Sequence, residues 1–104
     1  MRHLSPAEVK ALVDAGPITL LDVRTPEELE LARLPGALHI PMAELPARVG
    51  ELNPQAPIIV LCHHGVRSEM AGRFLERNGF ADVSHLSGGI DAWSESVDPS
   101  VPRY

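Results

Sequence analysis

Apolar residues in this chain fall into short blocks, some spaced for one face of a helix and some continuous enough for a strand, with Pro and Gly between them. Ser5-Pro6-Ala7-Glu8 predicts a helix start: a capping serine, proline at the first helical position, and a glutamate placed to reach back to the cap. Val9, Leu12 and Val13 supply its buried stripe, and Gly16-Pro17 stops it. Residues 18–23 form an apolar-rich run suited to a strand buried on both faces, with Asp22 and Arg24 marking its carboxyl end. Thr25-Pro26-Glu27-Glu28 repeats the capping pattern, which predicts a short helix over 26–32 before Pro35-Gly36. Residues 37–40 predict a brief strand closed by Pro41, and 42–52 a further short helix with Pro46 in or near its first turn.

Ile58 to Leu61 is the clearest core strand of the chain. Met70, Ala71, Phe74 and Leu75 recur at helical spacing within 68–77, and Asn78-Gly79 ends that helix. Val83 to Leu86 predicts another strand, Gly88-Gly89 a tight turn, and 90–95 a short helix with Trp93 inward. Residues 97–104, which include Pro99 and Pro102, predict an extended tail, either wrapped on the domain or disordered. Short strands alternating with helices indicate an α/β sandwich of three layers with a small, mainly parallel sheet, formed by residues 1–96 as one domain.

Composition narrows the classes of function. At 104 residues and 44% hydrophobic content the chain has the size of one domain with one ordinary core. Fourteen acidic against nine basic residues give a net charge of −5, which argues against a nucleic-acid surface. A lone cysteine excludes an internal disulfide, so a reducing compartment such as a bacterial-type cytoplasm is expected. No apolar run is long enough to span a bilayer, and no membrane association is expected.

The candidate chemistry lies in Ile-Ile-Val-Leu-Cys-His-His-Gly-Val-Arg-Ser at 58–68. Cys62 stands where the apolar strand ends and a polar, Gly-containing loop enters a helix expected to begin near Ser68. A free cysteine is only about 3% ionised at neutral pH, whereas the free amides and partial positive charge of a helix N-terminus, or a cationic neighbour, favour the thiolate. Gly65 permits the positive φ that turns successive amides inward as an anion-binding nest, and Arg67 adds a permanent cation. The competing reading makes Cys62 a small buried hydrophobe.

Four stretches together resemble the single-domain rhodaneses, a sulfurtransferase family. They are Leu-Leu-Asp-Val-Arg-Thr-Pro-Glu-Glu at 20–28, Leu-Pro-Gly-Ala-Leu-His-Ile-Pro at 34–41, the Cys62 loop, and Leu-Ser-Gly-Gly-Ile-Asp-Ala-Trp at 86–93. The resemblance implies that Cys62 accepts a sulfane sulfur as a persulfide, cradled by the backbone of His63, His64, Gly65, Val66, Arg67 and Ser68. It implies thiosulfate or a related small sulfur donor, a thiophilic acceptor, which extends to an acceptor protein, and no cofactor. Arg67 is the side chain expected to hold a dianionic donor, unless it braces the loop or pairs with a nearby acid.

Other residues carry weaker expectations. His63 and His64 are placed to donate to an anion or shuttle protons, although adjacent side chains point apart. A metal site made of Cys62, His63 and His64 is disfavoured by their consecutive positions. Asp22 and Arg24 are expected to fix loops, and His39 and His85 carry no signal beyond their strand-like surroundings. Two rival functions remain: a non-enzymatic persulfide carrier or docking module, and a thiol-dependent phosphatase or arsenate reductase. The phosphatase reading is weakened by the loop, which has four residues between Cys62 and Arg67, one fewer than in the related phosphatases.

Overall fold

A computed structural model describes all 104 residues. Five parallel strands, β1 (Arg2–Leu4), β2 (Thr19–Asp22), β3 (Leu38–His39), β4 (Ile58–Leu61) and β5 (Val83–Leu86), form one sheet in the order β1-β5-β4-β2-β3. Five α-helices accompany them: α1 (Pro6–Ala15), α2 (Pro26–Leu31), α3 (Leu45–Arg48), α4 (Val66–Arg77) and α5 (Gly89–Ser96). The central strand β4 is buried at every position, and its side chains alternate between two cores. Ile58, Val60 and Cys62 join Leu21, Val23, Leu45, Ala71 and Leu75 on the side of α3 and α4. Ile59 and Leu61 join Leu20, Val9, Leu86 and Ile90 on the side of α1 and α5. The expected three-layer sandwich is therefore the observed one, and it explains why β2 and β4 read as apolar runs without a polar face.

Local signals set most boundaries. Ser5 and Thr25 both close complete capping boxes, with Glu8 and Glu28 returning to the cap amides, and Pro6 and Pro26 take the first helical position. The 42–52 segment departs from one helix. Pro46 lies in the first turn of α3, and that four-residue helix is flanked by 3₁₀ turns at Met42–Glu44 and Val49–Glu51. Strand β1 lacks the length or pattern to be read from three residues, and exists because it pairs with β5. Met70 is 56% exposed, because Ala71 and Leu75 take the sheet-facing positions of α4. No helix is long and apolar enough to cross a membrane.

Of the two courses expected of the tail, the wrapped one is found. After a turn at 97–101, Val101 is buried in the α1/α5 core, the Ser94 hydroxyl donates to the Val101 carbonyl, and Arg103 forks onto Asp91. Tyr104 reaches the carboxyl ends of the strands.

Those ends are locked by Arg24, which is fully buried. Its Nε and Nη2 donate to the Asp22 carboxylate at 2.7–3.1 Å, its Nη2 also to the Ala32 carbonyl at 2.8 Å, and its Nη1 to the Tyr104 hydroxyl at 2.8 Å. Asp22 and Arg24 thus have the structural role expected of them. Removing one partner strands a charge inside the protein, at a cost of about 3–5 kcal/mol. Arg24→Ala and Asp22→Ala are each expected to lower unfolding stability by that amount in urea titration. A loss below about 1 kcal/mol would show that the pair is dispensable.

Candidate functional site

The parallel sheet brings the last residues of β2 and β4 and the segment after β5 to one edge, the side where such sheets bind ligands. Cys62 follows β4 directly, and its side chain continues the buried row of Val60, leaving the residue only 1% exposed. The chain then turns tightly. Gly65 has φ of 108°, in the region a side chain disfavours, and caps α4. The helix starts at Val66, two residues earlier than the sequence suggested, because this turn consumes only residues 63–65.

Two amides of the loop point at the sulfur: Gly65 N–H donates to Cys62 Sγ at 3.1 Å and Ser68 N–H at 3.3 Å. Of the six residues expected to form the cradle, Gly65 and Ser68 are the two whose amides reach the sulfur. Val66 and Arg67 belong to the first turn of α4, where intrahelical acceptors are lacking. Ser68 is fully buried, and its hydroxyl donates to the Gly65 carbonyl at 3.1 Å, tying the two donor residues together.

The other wall of the loop is the start of α5. Ile90 N–H donates to the Cys62 carbonyl at 2.8 Å and Asp91 N–H to that of His63 at 3.2 Å. Gly89 is required there on two grounds. Its φ is 65°, and a Cβ would fall 2.3 Å from the His63 carbonyl oxygen and 2.6 Å from that of Cys62. The Gly88-Gly89 pair read from the sequence as a turn is therefore also the point where two backbones touch.

Side chains around the loop divide into those paired and those free. Arg67 forks onto Glu28, with N–O distances of 2.6 and 2.9 Å, so of the two expected roles the structure displays the ion pair. The Glu28 carboxylate also accepts the Tyr104 hydroxyl at 2.6 Å and caps α2 through the Thr25 amide. The Arg67 fork, with help from Tyr104 and Thr25 against the effect of burial, holds the Glu28 carboxyl well below the usual carboxylate range. His63 stacks face to face on Tyr104 with ring centres 3.8 Å apart, and its Nε2 meets the Tyr104 main-chain oxygen at 2.8 Å. His64 is the exposed member of the pair; its Nδ1 lies 4.0 Å from Asp91. Val66 is 71% exposed at the rim.

Four residues at this edge escaped the sequence reading. Glu28 looked like a capping residue and is one, but its partner Arg67 is 39 positions away. Tyr104 looked like part of a tail. His3 and His85 carry no local pattern, yet His85 is buried beside Ser68, with Nδ1 3.0 Å from the Ser68 hydroxyl and Nε2 2.7 Å from His3 Nδ1. His39, the other strand histidine, meets the Arg24 carbonyl at 2.7 Å.

Residues 5–96 match the model of the Rhodanese-like domain family. The thiosulfate sulfurtransferase GlpE of Pseudoalteromonas translucida is 30% identical over 102 residues, covering 98% of this chain and 97% of its own. A sulfurtransferase of Allochromatium vinosum is 36% identical over 90 residues, covering 86% and 84%. The crystal structure of a rhodanese-related protein from Thermoplasma volcanium superposes with a TM-score of 0.87 at 32% identity, over the full length of both chains. Other relatives are longer. This chain spans 30% of the Rhodanese-like/PpiC domain-containing protein 12 of Arabidopsis thaliana and 44% of the proposed sulfur carrier protein YrkF of Bacillus subtilis.

Tyr104 is the only tyrosine of the chain, so its titration is directly visible by ultraviolet absorbance. Burial and the hydrogen bond to Glu28 push its phenol up to about 12. The neutral hydroxyl therefore contributes stability that is complete below about pH 10 and lost as pH rises through about 12. The phenolate signal is expected to appear near pH 12 and to move down in Glu28→Gln. A midpoint near 10 in the wild type would mean that the ring is not docked on the loop.

Proposed function

The chain belongs to the rhodanese-like domain family, and on that premise we propose that Cys62 carries sulfur from a sulfane donor, as a persulfide, to a thiophilic acceptor. The family and its named sulfurtransferase relatives make sulfur transfer the general activity. The observation that carries the finer reading is the pair of amides converging on Cys62 Sγ at the start of α4. An anion placed there gains charge-assisted hydrogen bonds and the partial positive charge of the helix end, with little competing water.

In the proposed reaction the Cys62 thiolate attacks the outer sulfur of thiosulfate, the S–S bond of the donor breaks, and sulfite leaves with the electron pair. Cys62 is left as a persulfide anion. The outer sulfur would then lie toward the first turn of α4, where the amides of Val66 and Arg67 lack intrahelical acceptors. An acceptor nucleophile, cyanide in the laboratory or a thiol, then attacks that sulfur and releases the thiolate. This is two-step covalent transfer, and it needs no cofactor. A reducing compartment such as the cytoplasm suits a persulfide carrier whose only cysteine must stay free. His63 and His64 act as loop residues in this scheme, His63 through its stack on Tyr104.

A second reading concerns the donor. Arg67 is the expected anchor for a dianion, but its charge is answered by Glu28. That arrangement favours a persulfide donor, small or protein-borne, over thiosulfate. In that case the protein works mainly as a carrier to a partner, as the sulfur carrier among its relatives suggests.

Intact-mass measurement after exposure to thiosulfate or to a glutathione persulfide separates these readings from the rivals. Wild type is expected to gain the mass of one sulfur atom, removable by cyanide, and Cys62→Ser to gain none; an adduct on the serine variant would defeat the assignment. Glu28→Gln removes a negative charge beside the site, worth about 1 kcal/mol toward a dianion, or roughly fivefold in the thiosulfate kcat/KM. The same variant is expected to leave loading from a persulfide nearly unchanged. Equal effects on both donors would remove the electrostatic argument about donor choice.

A further inference from the structure

A second cluster of chemistry lies on the opposite flank of the loop from Glu28 and Tyr104. His3 on β1, Glu69 on α4 and His85 on β5 each offer a ligand atom, and these atoms lie within 4.8 Å of one another. Three separate elements converge there, with residues 66 and 82 positions apart in sequence. The three side chains line a shallow recess of about 270 Å³, whose other polar walls include His64 and Ser87.

We propose that His3, Glu69 and His85 form a binding site for a borderline divalent cation, with zinc as its best-matched probe. Two imidazoles and one carboxylate are the donor set of open tetrahedral zinc sites, in which a fourth position is left to water. That fourth position would face the recess.

The hydrogen bonds fix which atom of His85 is available. The Ser68 hydroxyl has one proton, and it is given to the Gly65 carbonyl, which can only accept. His85 Nδ1 must therefore donate to Ser68 Oγ, 3.0 Å away. The lone pair of the neutral ring is then on Nε2, which points at His3 Nδ1 at 2.7 Å. A histidine held by a second hydrogen bond through one nitrogen, with the other presented to neighbouring donors, is the arrangement that orients metal ligands.

A proton now bridges His3 and His85, and the cation would take its place. Two nitrogens on one zinc ion stand about 3.3 Å apart, so the rings need to separate by roughly 0.6 Å. His3 is exposed on an edge strand and free to make that shift. Glu69 accepts from Arg73 through Oε1 only, which leaves its second oxygen for the metal.

Isothermal titration with zinc chloride, using the reduced full chain in a non-chelating buffer, tests the assignment. Wild type is expected to take up one equivalent. His3→Ala and Glu69→Gln, both at positions outside the core, are each expected to weaken uptake by at least roughly tenfold while thermal unfolding shows them folded. Cys62→Ser is expected to bind as wild type does within roughly threefold, since a cation is not held by the loop thiol in this assignment. The proposal is overturned if wild type takes up no zinc, if the His3 and Glu69 variants bind undiminished, or if Cys62→Ser abolishes binding. Sulfur loading of Cys62 is a separate readout, so its failure leaves this result interpretable.

Discussion

The buried pair of Asp22 and Arg24 organises the edge of the sheet that carries the cysteine loop. Arg24 is the one charged side chain with no exposure at all, and it holds four things together: the end of β2, the carboxyl end of α2 through Glu28 and Ala32 carbonyls, the tail through Tyr104, and its own turn through Asp22. Such a pair adds little net stability compared with apolar residues of the same shape, but it tolerates only one arrangement of its neighbours. Here that arrangement delivers Glu28 to Arg67 and Tyr104 to His63. The electrostatics of the cysteine loop are thus set from a residue that never touches the sulfur.

Where the loop meets α5, it is held by backbone hydrogen bonds. Amides at the start of α5 bind the carbonyls of Cys62 and His63, and the contact is so close that Gly89 has no replacement. Further along the loop, the amides of Gly65 and Ser68 turn inward and reach Sγ. The positive potential at the sulfur is therefore a product of loop geometry and helix placement more than of nearby cations, since Arg67 is paired with Glu28.

How much of this was legible in the sequence follows from the range of the interactions. The capping boxes at Ser5 and Thr25, the strand at 58–61, and the Cys–Gly–helix motif are encoded within a few residues, and all of them are found. The capping role of Glu28 was readable; its pairing with Arg67 was not, since nothing local ties residue 28 to residue 67. Strand β1 and the His3–His85 contact depend on a pairing across 82 positions. Of the two courses open to the tail, the wrapped one is found, but its anchors, Val101 in the core and Arg103 at Asp91, are long-range contacts that Pro99 and Pro102 do not signal. The start of α4 shifted because a left-handed glycine makes a tighter entry than a polar loop of that composition implies.

Cys62 belongs to the same apolar cluster as Val60, Ala71 and Leu75, and it exposes almost none of its surface. In the proposed transfer its sulfur is both the reactive centre and a piece of packing. A second sulfur cannot be added inward, where the interior is already filled at close to crystalline density; it can only grow outward along the axis of the loop. In that scheme the cargo rides above the core like a stopper in a neck, so bulky oxidants meet the passenger first, while the carrier atom beneath it stays shielded.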